Sequence, residues 1–86
     1  MVAEFYDDNN NYLGKINYIY NYLNIDGSKL SEQQKYDEAK RKLSSLKMHG
    51  GTITTDDKGE INASNIYKVV LKSPNLEKPI IIYLEL

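Results

Sequence analysis

The chain has 86 residues, no cysteine, and 11 basic against 12 acidic side chains, for a formal net charge of −1. These numbers exclude a disulfide-stapled scaffold, a thiolate metal site and a general polyanion binder. A chain of this length makes one domain, 1-86, which buries about 60–65% of its unfolded surface, so a small apolar core must carry the fold.

The first elements are at the N-terminus. "VAEFY", residues 2–6, reads as a strand, and "DDNNN", residues 7–11, as a turn. From 12 to 22 the chain alternates: Tyr12, Gly14, Ile16, Tyr18, Tyr20 and Tyr22 against Leu13, Lys15, Asn17, Ile19 and Asn21. Strict alternation is the signature of a strand. A helical reading of residues 11-25 would gather Tyr12, Ile16, Ile19, Tyr20 and Leu23 on one stripe. Tyrosine and isoleucine favour the pleated surface, whereas Gly14 and the asparagines weaken a helix. The expectation is a β-hairpin of roughly 2–6 and 12–20, with the helix as the alternative.

After "NIDGS", residues 24–28, comes the best-marked element of the chain, a helix over about 31-48. Ser31 and Gln34 have capping-box spacing, and Glu32 suits the positive end of the helix dipole. Tyr36, Ala39, Leu43 and Leu46 form one apolar stripe. Asp37–Arg41 and Glu38–Lys42 are i,i+4 pairs with the acid first. Lys47 and His49 sit at the negative end of the dipole, and Gly50 or Gly51 suits the left-handed residue that ends a helix.

The rest reads as strands. "TIT" and "EIN" flank a tight "DDKG" turn. "YKVVLK" and "PIIIYLEL" flank the turn-like "SPNLEK". In the last segment Ile80, Ile82, Leu84 and Leu86 share one face; Ile81, Tyr83 and Glu85 share the other. Apolar residues on most of both faces predict an interior strand or one covered by the helix.

The predicted class is α+β, with one amphipathic helix packed on a mostly antiparallel sheet in the order β-β-α-β-β-β. If residues 11-25 are helical, the order becomes α-α-β-β-β. In the order and length of its elements the first arrangement resembles the β-grasp.

Chemistry-bearing patterns are sparse. The single histidine, His49, stands beside two glycines at a helix end, where the dipole explains it. Asp7, Asn9 and Asn11 begin like a calcium loop. The pattern fails at the sixth position, Tyr12, and at the twelfth, Tyr18. Asp56, Asp57 and Glu60 fit a hairpin tip without a metal. Gly50 and Gly51 follow a helix, so they do not cradle a phosphate at a helix N-terminus. No catalytic residue, metal ligand or cofactor is assigned, and the expectation is a protein that is not an enzyme.

Two surfaces remain. The tyrosines Tyr12, Tyr18, Tyr20 and Tyr22 are protein-binding candidates, because tyrosine offers a large, stiff contact with a polar tip. Eight tyrosines cannot all be buried in so small a core. Lys35, Lys40, Arg41, Lys42 and Lys47 are nucleic-acid candidates, with tyrosines available to stack bases. Glu32, Asp37 and Glu38 interleave with these bases and cancel much of their field.

The leading expectation is a small module that acts by covering a surface on another protein. The alternative is a nucleic-acid-binding regulator that uses the basic helix and the tyrosine-rich face. Self-association through a sheet edge or the tyrosines is a third reading. Asn, Tyr, Ile and Lys all have A/T-rich codons, and their abundance fits a low-GC bacterium, its phage or a mobile element. That origin suggests an inhibitor of a host defence protein, of which anti-CRISPRs are one kind. No apolar run of membrane-spanning length and no leader-like N-terminus is present, so the expected location is the cytoplasm.

Overall fold

In the computed structural model, which describes residues 1–85, β1 (Val2–Tyr6) and β2 (Tyr12–Ile16) form the expected N-terminal hairpin. Asp7 organises its turn. Asp7 Oδ1 accepts from the backbone N–H groups of Asn9 and Asn11, and Asn10 takes the left-handed conformation that asparagine tolerates.

The second strand, expected to reach residue 20, stops at Ile16, and a short helix, α1 (Ile19–Tyr22), follows. The reason is the supply of partners. Ile16 already pairs with Ala3, close to the start of β1, so the ladder runs out two residues later. The helical turn instead places Ile19 and Leu23 in the core, and the Ile19 N–H donates to the Met1 carbonyl. Strand and helix readings of this stretch each hold for one half of it.

Helix α2 (Glu32–Met48) has the predicted capping box: the Gln34 N–H donates to Ser31 Oγ, and the Ser31 N–H donates to Gln34 Oε1. At the other end Gly50 is left-handed. The Gly51 N–H reaches the Leu46 carbonyl and the Gly50 N–H the Lys47 carbonyl, the paired bonds of a Schellman motif. Ala39 and Leu43 are buried, with Tyr36 and Leu46 packed beside them.

Strands β3 (Thr52–Thr54) and β4 (Glu60–Asn62) form a separate two-stranded sheet. β5 (Lys68–Lys72) and β6 (Ile80–Tyr83) join the first hairpin in a four-stranded antiparallel sheet of order β2-β1-β5-β6. The result is the expected α+β arrangement, with α1 added and every pairing antiparallel. α2 covers the inner face, where Ala3, Phe5, Ile16, Val69, Leu71 and Ile82 are buried in a single cluster with Leu43. The apolar β6 lies at an edge of the sheet. Its inner-face residue Ile82 is buried and Leu84 beyond it likewise, while Ile81 and Tyr83 on the outer face are open.

The small hairpin docks on β2 at Gly14. There φ is +145°, and a Cβ would lie 2.7 Å from Thr55 Cγ2. Gly14→Ala combines a disfavoured backbone conformation with a clash against a buried neighbour. It should destabilise the fold by about 1–3 kcal/mol, read as a lowered urea midpoint at unchanged slope.

Candidate functional site

The strand pairings place four side chains in one transverse row on the face that α2 does not cover. Tyr12 on β2 lies opposite Tyr6 on β1, Tyr6 opposite Lys68 on β5, and Lys68 opposite Tyr83 on β6. A bulge between Phe5 and Tyr6 brings Tyr12, instead of Leu13, opposite Tyr6. The Tyr6 and Tyr12 rings meet edge-on, with centroids 5.7 Å apart. Lys68 Nζ stands 4.7 Å from the Tyr6 ring centroid, close enough for cation–π attraction, and donates to Asn10 Oδ1. Tyr67, just before β5, packs its ring 5.6 Å from that of Tyr83.

The next row is Lys15, Glu4, Val70 and Ile81. Glu4 accepts from Tyr6 Oη and pairs with Lys72 at 2.9 Å. The exposed large hydrophobic residues of the face are tyrosine and isoleucine: Tyr12 is 39% exposed, Tyr83 45% and Ile81 47%. Its charges are mixed, with Lys15, Lys68 and Lys72 set against Glu4 and bordered by Asp57 and Glu85.

Asp57 fixes one end of the row. Tyr12 Oη donates to its Oδ2, and the Lys15 N–H donates to its Oδ1 at 2.9 Å. Desolvation first, then this bond and the Asp57 charge, hold the Tyr12 phenol far above the ordinary value of 10.0. Desolvation and Glu4 raise Tyr6; the Glu85 carboxylate raises Tyr67. These phenols are hydrogen-bond donors at neutral pH.

The four tyrosines singled out in the sequence do not share a surface. Tyr12 lies on the sheet. Tyr18, 71% exposed, Tyr20 and Tyr22 lie on or beside α1. Tyr20 is half-buried, its ring pressed on Gly27, and its hydroxyl is buried without a partner among the described residues. Tyr18, Tyr20 and Lys35 line an open groove of about 640 Å³.

The basic residues of α2 are also divided. Lys47 Nζ donates to the carbonyls of Ile66 at 2.6 Å and Leu84 at 2.7 Å. Lys42 Nζ donates to the Leu23 carbonyl at 2.7 Å, tying α2 to α1. Arg41 pairs with Glu38, and Lys40 lies over the Tyr36 ring. The predicted Asp37–Arg41 and Glu38–Lys42 pairs are thus replaced by Glu38–Arg41 and by a lysine bound to backbone.

Sequence reasoning missed Tyr6, Lys68 and Tyr83 as companions of Tyr12. The alternation in "VAEFY" and "IIIY" marks their outward face, but their alignment depends on non-local pairing. Among the described residues, no group of acidic or histidine side chains is placed to hold a metal ion, and no helix is long and apolar enough to cross a membrane. No protein-family model, curated protein or solved structure matches the chain.

Lys47→Met keeps the aliphatic stem but strands two carbonyls, and should cost about 1.5–3 kcal/mol in chemical denaturation, whereas Arg41→Ala should stay within about 0.5 kcal/mol. The Asp57 carboxyl is held below its ordinary value of 3.8, chiefly by the Tyr12 hydroxyl. A depressed carboxyl stabilises fully above its unfolded value and loses that contribution as pH falls through the folded one. Thermal melts should therefore show Asp57→Asn less stable than the parent near neutrality, with the difference shrinking below pH 3.8.

Proposed function

We propose that this chain is a non-enzymatic module that binds another protein through the open face of its four-stranded sheet. The observation that carries the reading is the row Tyr12, Tyr6, Lys68 and Tyr83, with Val70 and Ile81 beside it, on a face that no other element among the described residues covers. Tyrosine has few rotatable bonds, so it loses little entropy when a partner covers it, and its hydroxyl satisfies itself at a wet rim. The phenols offer donors, and the lysine and carboxylate pairs around them give a mixed polar border.

The finer proposal is an inhibitor that occupies a working surface of a host defence protein in the bacterial or phage-infected cytoplasm, the anti-CRISPR kind included. Its support is small size and a composition fitting a low-GC phage or mobile element.

A nucleic-acid-binding regulator is the second reading, favoured by one observation: Lys68 stands between Tyr6 and Tyr83 in the row, with Lys15 and Lys72 further along the same face, an arrangement suited to stacking bases beside phosphates. Against it, Glu4 already pairs with Lys72, and Lys42 and Lys47 of the helix are committed to backbone carbonyls.

Capture from a low-GC bacterial lysate, with and without nuclease, separates the two. A stoichiometric protein that survives nuclease is expected. Tyr12→Ala and Tyr83→Ala should each weaken its binding by about 2 kcal/mol, roughly thirtyfold in Kd, while Tyr18→Ala leaves it unchanged. Capture that disappears with nuclease, and falls steeply with salt, would move the function to nucleic acid.

A further inference from the structure

The two edges of the four-stranded sheet are treated differently. At β2 the tip of the β3–β4 hairpin satisfies the outward backbone. The Asp56 N–H donates to the Lys15 carbonyl at 2.8 Å, the Lys15 N–H donates to Asp57 Oδ1, and the Asn17 N–H donates to Asp56 Oδ2. That edge is closed to a further strand.

At β6 nothing comparable occurs. The Leu84 N–H donates to the Tyr67 carbonyl, in the register that pairs Ile82 with Val69 and Ile80 with Leu71. Antiparallel bonding alternates, so Ile80 and Ile82 point their backbone groups at β5, and Ile81 and Tyr83 point theirs away from the sheet. Among the described residues none bonds to these outward groups. The strand is Ile80, Ile81, Ile82 and Tyr83, with no charged residue and no bulge to deter pairing. Its guards are its shortness and Pro79.

We propose that β6 pairs antiparallel with β6 of a second copy of this chain, so that the two four-stranded sheets become continuous across a two-fold axis. Several features select a copy over an unrelated strand. With Ile81 opposite Tyr83 of the second copy, the two-fold axis generates the reciprocal pair, and Ile82 faces its own counterpart on the axis. All outward donors and acceptors of β6 are then used. Pro79, the next outward position, has no N–H, so the ladder ends there. The outer face gains two cross-strand contacts between isoleucine and tyrosine, a favourable class of pair. Antiparallel pairing also lays Lys78, before one strand, near Glu85, after the other, with Glu77 one residue further out. A net charge of −1 offers little repulsion between copies. This inference concerns the edge and stands apart from the reading of the face. The two meet in one consequence: the tyrosine rows of both copies would lie on one broad surface.

The test is sedimentation of the purified full chain from micromolar to near-millimolar concentration. The mass should rise from 9.9 kDa toward twice that value. Ile81→Pro removes an outward N–H and leaves the β5 ladder intact, and it should stay monomeric throughout with an unchanged circular dichroism spectrum. Tyr83→Ala, which keeps the backbone donors, should still associate even if it loses an external partner. A parent chain that remains at 9.9 kDa at every concentration overturns the proposal, and so does an Ile81→Pro variant that dimerises like the parent. Should Ile81→Pro fail to fold, amide exchange of the parent decides. The Ile81 and Tyr83 amides should slow as concentration rises while the Lys15 amide does not change; concentration-independent exchange at Ile81 and Tyr83 refutes the pairing.

Discussion

The contact on which the rest depends is the grip of the β3–β4 hairpin tip on strand β2. Thr55 is buried against Gly14. Its Oγ1 accepts from the Lys58 N–H and donates to the Gly59 carbonyl, so the tip is rigid where it meets the sheet. The two aspartates that follow then supply β2 with the backbone partners a fifth strand would have given it. The same Asp57 holds the Tyr12 hydroxyl. One local turn therefore joins the two sheets, closes an edge and orients the first residue of the tyrosine row.

With that edge closed and α2 on the inner face, the outer face and the β6 edge of the sheet are left open among the described residues. Two lysines of α2 are committed to backbone. Lys47 bridges the carbonyls of Ile66 and Leu84, which fastens the end of α2 to the entry of β5 and the exit of β6. Lys42 does the same between α2 and α1. A lysine held on backbone acceptors keeps its charge but is not free to swing onto a phosphate, so the helix offers fewer phosphate contacts than its composition implies. On the outer face desolvation first, and then the Glu4 and Asp57 carboxylates, raise the Tyr6 and Tyr12 phenols further above neutrality, so donors, not anions, lie along the row.

Local signals were legible in the sequence. The capping box at Ser31 and the glycine stop, read as Gly50 or Gly51 and found at Gly50, need only a few neighbouring residues. The β5–β6 hairpin was legible for the same reason, through its β-branched runs. The break at Ile16 was not. Alternation continues through Tyr22, and nothing in residues 12–22 records that β1 has no more backbone to offer. The destinations of Lys42 and Lys47 were hidden because their acceptors lie 18 or more residues away in sequence. Docking of "TDD" onto β2 was invisible too, since Gly14 is an anomaly in a strand until its neighbour is known. The tyrosine row belongs to this class: each member was visible, but the alignment is a property of three strand pairings.

That alignment bears on whether the tyrosines mean anything. A/T-rich codons supply tyrosine without regard to register, so abundance alone is no argument. A small core also repels them, because each buried hydroxyl needs a partner; the Tyr20 hydroxyl, which has none among the described residues, shows what burial entails. Codon bias and core chemistry together explain why tyrosines are outside. They do not explain why three of them and a lysine, from four different strands, fall in one line. Register does. A slip of one residue in β1 would carry Tyr6 inward and Phe5 outward, losing the core along with the row. The pairing that buries Ala3, Phe5, Val69 and Ile82 is the pairing that lines up Tyr6, Lys68 and Tyr83, and the bulge after Phe5 brings Tyr12 into the same line. The register of the face is consequently fixed by the core beneath it, so under the proposed reading a partner would meet a preorganised surface and be spared the entropy of arranging one.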